Sequence, residues 1–187
     1  MSNIKKYVLT AVTLGLIAMG SGLLISGTYL LTKDPIAENK QLSINAGLKD
    51  IFYKEGLNNI YASKGEELVI DKQNNPYVTT IYHVYNGTST VDEENTLLGY
   101  ACLTDGYNDY GRISLVVGFT EECLYKNLYV VTNEQSFASK LKKEYITPVK
   151  NGERELDKVS CGATYGATTI KDMVNNSKTK VEERFKK

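Results

Sequence analysis

The longest unbroken apolar run lies at the start of the chain. Tyr7 to Leu31 is 25 residues without a charged side chain. As a helix rising ~1.5 Å per residue, it outreaches the ~30 Å hydrocarbon core of a bilayer. The competing reading is a cleaved signal peptide, whose apolar stretch covers about 7–15 residues before a small-x-small cleavage site. This run is longer, and it reads as a retained anchor. The first cysteine is Cys102, too far away for a lipoprotein anchor. Lys33-Asp34-Pro35 then ends the span, with Pro35 as a helix-starting residue. Ile36, Leu42, Ile44, Leu48 and Ile51 predict a helix over 35–55.

Further on, the pattern changes to that of strands. Residues 56–76 are rich in Gly, Asn and Lys and hold at most a short strand near Leu68–Ile70. Tyr77–Tyr85 is dense in Val, Ile, Thr and Tyr, which predicts a strand ending at Asn86-Gly87. An acidic loop (Asp92, Glu93, Glu94) follows. Leu97–Thr104, Arg112–Thr120 and Leu124–Thr132 are three more strand candidates, giving an antiparallel sheet of about four strands. Residues 136–146 read as a helix. A last helix is capped by Thr168 or Thr169 and carries Ile170, Met173, Val174, Val181 and Phe185 on one face. The expected class is α+β: a single N-terminal transmembrane helix (1–33, spanning about 7–31), then one domain (34–187) with an antiparallel sheet and flanking helices. No period of 20–50 residues suggests a solenoid.

Charge divides along the same line. The 22 basic and 22 acidic residues cancel. Residues 1–33 hold Lys5, Lys6 and Lys33 and no acid, a charge of +3, so 34–187 carries −3. Zero net charge argues against nucleic acid as a partner. Lys5 and Lys6 before the span outweigh Lys33 after it, which places Met1 in the cytoplasm and the domain outside. Ala11, Gly15, Ala18, Gly22 and Ser26 form a small-residue stripe suited to packing on another membrane helix. With one His (His83), three Cys and no CxxC, the chain is poorly equipped for a metal site or for acid–base catalysis, and no metal ligands or catalytic residues are assigned. His83 reads as a structural strand residue. Cys102 and Cys123 could pair, but spacing cannot decide it.

The most specific stretch is Asp157-Lys158-Val159-Ser160-Cys161-Gly162-Ala163-Thr164-Tyr165-Gly166-Ala167-Thr168-Thr169. It joins small residues and hydroxyls to an amphipathic helix. Glycines let a backbone approach an anion, and a helix N-terminus adds partial positive charge, so a phosphate suits the turn. An ordinary turn with an N-cap has the same local pattern.

Those residues resemble the flavinylation motif of the FMN-binding domain family, found in RnfG of the Rnf complex and in its counterpart in the sodium-pumping NADH:quinone reductase. The motif reads approximately Asp-x-x-Ser/Thr-Gly-Ala-Thr, and its last Thr carries FMN through a phosphoester bond. Gly162-Ala163-Thr164 fills the Gly-Ala-Thr part, so the resemblance makes Thr164 the acceptor. Cys161 stands where Ser or Thr is usual, with Ser160 before it, and Asp157 is one residue farther away than expected. The second triplet, Gly166-Ala167-Thr168, is a rival with Tyr165 before it. The resemblance extends over roughly 28–176. It includes Leu31-Thr32-Lys33-Asp34-Pro35-Ile36 after the anchor, Leu98-Gly99-Tyr100, and Gly106-Tyr107 through Gly111-Arg112-Ile113-Ser114-Leu115-Val116-Val117-Gly118. Where that family has a strand ending in Glu-Thr-Pro-Gly near the flavin, this chain keeps Glu134 and continues Gln135-Ser136-Phe137.

The resemblance implies an electron-transfer subunit of a membrane-bound, ion-translocating oxidoreductase complex in the cell membrane, with covalent FMN as its cofactor. It would have other membrane redox subunits and a flavin transferase as partners. FMN supplies the electron chemistry, so the shortage of His is no obstacle. The expected cofactor contacts are Thr164, Gly162, Ala163, Ser160, Cys161, Tyr165, Thr168, Glu134 and Tyr107, with Tyr107, Tyr110 or Tyr165 available to pack on the flavin ring. Two alternatives stay open: a stand-alone anchored flavoprotein, and a cofactor-free anchored binding or sensor module.

Overall fold

The computed structural model describes residues 3–53, 60–63, 65–87 and 96–186. The acidic loop at Asp92–Glu94 and the last two residues of the helix expected over 35–55 lie outside these. The chain divides into two compact units, with the boundary between Leu42 and Ser43.

Helix α1 runs Asn3–Phe52 with Pro35 inside it. The expected break at Asp34-Pro35 is absent. A proline removes one backbone donor and crowds the carbonyl four residues back, a cost of ~3 kcal/mol in a helix interior, and the helix carries it here. By length and composition this helix can cross a membrane. Thr10, Thr13, Ser21 and Thr28 each donate to the carbonyl four residues back, at 2.8–3.0 Å. Such back-bonding satisfies a hydroxyl where water is lacking.

Among the described residues of the second unit, six strands form one antiparallel sheet: β1 (Ile60–Ala62), β2 (Glu66–Glu67), β3 (Val78–Asn86), β4 (Thr96–Asn108), β5 (Gly111–Phe119) and β6 (Tyr125–Asn133). The path is β1-β3-β4-β5-β6, and β2 also pairs with β3. The four expected strands are β3 to β6. The short strand expected near Leu68–Ile70 is instead β2, with an isolated bridge between Asp71 and Asn75.

Both faces of the sheet are covered. On one, Ile44, Leu48, Ile51 and Phe52 pack on Val84, Ala101, Leu103 and Val116. Over the other lie α2 (Ala138–Leu141), a π-helical turn (Lys142–Ile146), α3 (Thr147–Lys150) and α4 (Thr164–Phe185). Leu141, Tyr145, Ala167, Ile170 and Met173 meet Ile113, Leu115, Val117 and Leu128 there. Double coverage explains why β4 and β5 read as continuous apolar runs, since a strand buried on both faces has no need to alternate. The helix expected over 136–146 is present as a continuous helical run over 138–150, with the π-helical turn in its middle. The last helix begins at Thr164, not at a cap on Thr168 or Thr169, because Gly166 and Ala167 are already buried as helical residues.

Candidate functional site

The N-terminus of α4 and the turn before it carry the candidate chemistry. Thr164 is the first helical residue, and Ala163 before it provides no side-chain cap. The Thr164 hydroxyl closes the turn instead. It donates to the Cys161 carbonyl at 2.7 Å and accepts from the Cys161 N–H at 3.3 Å. The Gly162 N–H donates to Glu144 Oε2 at 2.7 Å, and the Ala163 N–H to the Cys161 sulfur at 3.4 Å. Three amides that could have faced an anion are thus occupied by the chain's own groups. Thr164, Tyr165 and Gly166 follow, and helix geometry gives their N–H groups no intrahelical acceptor. The first intrahelical bond runs from Ala167 N to Ala163 O.

Beside this turn is a cavity of about 230 Å³, lined by Tyr110, Gln135 and Phe137 on one side and by Cys161–Gly166 on the other. Its wall is aromatic. Tyr110 lies 5.4 Å from Tyr165 and 5.8 Å from Phe137, centroid to centroid. Phe137 and Tyr165 remain 48% and 67% exposed. Neighbouring exposed rings offer apolar faces to a flat partner. The volume is below the roughly 300–1,000 Å³ usual for whole-ligand pockets, so it would take a ligand's planar portion and leave the rest outside.

A part-buried polar network fixes this wall. Gln135 Nε2 donates to the Gly111 carbonyl at 2.6 Å and to Asn108 Oδ1 at 3.2 Å. Asn108 Nδ2 reaches Thr169 Oγ1 at 2.9 Å, and the Thr169 hydroxyl donates to the Tyr165 carbonyl. The Tyr110 N–H donates to Asn108 Oδ1, and Ser136 holds the Tyr110 carbonyl. The β4–β5 hairpin, the 133–137 loop and α4 are locked together at the rim.

Of the residues expected at a cofactor, the structure gathers Cys161, Gly162, Ala163, Thr164 and Tyr165 around one cavity. Ser160 is just upstream, its carbonyl held by Arg154. Thr168 is half-buried one turn into α4 and does not line the cavity. Glu134 is exposed, and its neighbour Gln135 takes the lining position. Tyr107 is 79% exposed and lies outside the lining, where Tyr110 stands. Sequence reasoning passed over Gln135 and Phe137 as site residues, although both sit in the loop the resemblance had marked. It also passed over Glu144 and Arg154, for which no local signal exists.

The other polar candidates lie apart from this cavity. All three cysteines are free thiols. Burial pushes the Cys102 thiol far above its ordinary range. His83 sits half-buried in an aromatic cluster with Tyr85, Tyr100 and Phe185. A larger groove of about 660 Å³ runs between β6 and residues 138–151. Its lining holds no carboxylate, thiol or imidazole, so size does not mark the site.

Comparison with known proteins bears on the other end of the chain. Residues 1–51 match the family model described as the RnfG N-terminal region. No curated protein matches the chain. The matched stretch takes in the apolar helix, which among the described residues is the one long and apolar enough to cross a membrane. Over residues 1–51 the chain is similar to the N-terminal region of RnfG, and the resemblance to the Rnf complex read from the sequence holds there.

Proposed function

We propose that this chain is the electron-carrying subunit of a membrane-bound oxidoreductase complex of the Rnf kind, with FMN attached to Thr164 through a phosphoester. The helix would hold it in the cell membrane with its N-terminus cytoplasmic and its domain outside, next to other membrane redox subunits. The observation that carries this reading is the exposed Thr164 hydroxyl at the edge of a cavity walled by Tyr110, Phe137 and Tyr165. The match over residues 1–51 supports the complex. When bound, FMN would supply one- and two-electron transfer. The chain's own part is to hold it: Thr164 by the covalent bond, the three rings by packing on the flavin, and the N–H groups of Thr164, Tyr165 and Gly166 by facing the phosphate. Thr164 is favoured over Thr168 because Thr168 is half-buried and lies away from the cavity.

The test is the intact mass of protein made in its native host. The expected result is a gain of one FMN minus one water, located on the peptide containing Thr164. That gain should be lost in Thr164→Val and kept in Thr168→Val. An unmodified mass refutes the reading.

A second reading, a cofactor-free anchored module, is favoured by Glu144 already occupying the Gly162 amide. It expects an unmodified mass and unchanged function in Thr164→Val.

A further inference from the structure

The segment 151–163 leading into Thr164 has no regular secondary structure, and most of it is exposed. It is nevertheless fastened at every step. Arg154 spends its whole guanidinium on backbone carbonyls: Nε on Lys158 at 2.6 Å, Nη1 on Glu144 at 2.8 Å and Nη2 on Ser160 at 2.5 Å. The guanidinium also lies over the Tyr145 ring, 5.6 Å from its centroid, and the Tyr145 hydroxyl donates to the Leu156 carbonyl. Glu144 then takes the Gly162 amide at 2.7 Å. The approach is tight, since a Cβ at Gly162 would lie 2.9 Å from Glu144 Oε2 and 3.1 Å from Lys140 Cδ. Glu144 and Tyr145 both lie in the π-helical turn, a distortion that recurs at functional sites.

Apolar burial does not require an exposed loop to be held in this way. Accurate presentation of a reacting group does, because displacement by about 1 Å can cost as much as ~100-fold in rate. We propose that Arg154 and Glu144 are positioning residues for the modification of Thr164, clamping the loop so that its hydroxyl is presented to a transferase. This rests on the function proposed above. In the step served, Thr164 Oγ attacks the phosphorus on the riboflavin side of a flavin dinucleotide donor. The Oγ–P bond forms and the anhydride P–O bond breaks. The nucleoside monophosphate leaves with the bonding pair, and the hydroxyl proton passes to a base of the transferase.

The test measures flavin loading of the full-length protein in detergent by a flavin transferase with a flavin dinucleotide, read as in-gel flavin fluorescence, with kcat and KM for the protein acceptor. Glu144→Ala and Arg154→Gln are expected to lower kcat about tenfold or more with KM little changed. Glu144→Gln keeps an oxygen for the Gly162 amide and should load within about twofold of wild type. Should Arg154→Gln not fold, the two Glu144 variants decide alone. If wild type loads and Glu144→Ala loads equally fast, the clamp is overturned and the flavin reading stands. Glu144→Gln as slow as Glu144→Ala also overturns it, since the charge and not the hydrogen bond would then matter. If wild type does not load at all, the flavin reading fails and the clamp's role falls with it.

Discussion

Replacing Gly111 by alanine tests whether the β4–β5 hairpin and the 133–137 loop are held as closely as the cavity wall requires. Gly111 has φ +128°, a conformation that side-chain-bearing residues rarely adopt. A Cβ there would lie 2.3 Å from the Glu134 carbonyl oxygen, 3.0 Å from its carbon and 3.3 Å from Gln135 Cα. All three are backbone atoms, so no side chain can swing aside. The loop itself is pinned, with Glu134 N–H on the Arg112 carbonyl at 2.9 Å and the Gln135 amide on Gly111 at 2.6 Å. The strained backbone costs about 1–3 kcal/mol. Moving the loop away loses hydrogen bonds of about 1 kcal/mol each. The sum is about 3–5 kcal/mol, or a fall in Tm of roughly 10 °C for a domain of this size. Gly152→Ala is the control, with φ +74° and nothing within 4 Å of a Cβ. Its strain of about 1–2 kcal/mol is partly offset by the smaller entropy of its unfolded state, leaving a shift of a few degrees. Near-UV circular dichroism of the tyrosines in detergent-solubilised protein follows the domain's tertiary packing. A Gly111→Ala shift no larger than that of Gly152→Ala would refute the steric argument.

Two further outcomes follow from buried polar groups. Asn75 donates to the Val69 and Val78 carbonyls at 3.0 and 2.8 Å and accepts from the Val78 N–H at 3.1 Å. Asn75→Ala strands the backbone of fully buried Val78 and should cost about 2–4 kcal/mol in urea unfolding at unchanged m-value; a loss below ~1 kcal/mol contradicts this. Burial raises the phenol of Tyr145 far above its usual value and that of Tyr125 to about 12, and it raises the Cys102 thiol as well. The folded protein thus holds these protons more tightly than the unfolded chain, so their stabilisation is complete below the ordinary values of 9.0 for Cys and 10.0 for Tyr and is lost as pH climbs past them. Tyrosinate absorbance should rise in two waves, the second coinciding with unfolding; a single wave near pH 10 with the fold intact rules this out.

How much could be read in advance depended on how local each cause was. The apolar N-terminal helix and strands β3 to β6 were legible, because apolar and β-branched runs act on neighbouring residues. The helix over the sheet's second face was legible in Ile44, Leu48 and Ile51, but its unbroken continuation through Pro35 was not, because a proline there reads as a helix start. β1 and β2 are too short to leave a pattern and exist by pairing with β3. Of the three tyrosines expected as candidates for the wall, Tyr110 and Tyr165 line the cavity and Tyr107 does not. The reason is strand alternation: a Cβ at Gly106 would meet Met173 of α4, and Asn108 bonds Thr169 of α4, so Tyr107 between them faces the opposite side. Tyr110 lies beyond the last paired residue, Asn108, and escapes that rule. Glu144 acts across 18 residues on Gly162 from a π-helical turn that no periodicity announces, and Arg154 acts across 6 on Ser160 from an irregular loop.

The choice between the two threonines is a matter of depth along α4, not of facing. Thr164 and Thr168 are four apart and share a face of the helix. Met173, Ile170, Ala167 and Val181 are fully buried and fix the helix phase, so neither threonine can be turned outward independently of the other. Only Thr164 sits at the terminus, where the neighbouring N–H groups lack intrahelical acceptors and the peptide dipoles leave partial positive charge. One turn later the amides are committed within the helix, and a phosphoester would find no donors. An acceptor at 168 with free amides around it would therefore require unwinding the first turn of α4. That would withdraw Gly166 and Ala167 from contact with the core and take Tyr165 out of the aromatic wall. If the proposed flavin attachment holds, the buried stripe that anchors the helix thus favours the earlier of the two Gly-Ala-Thr triplets.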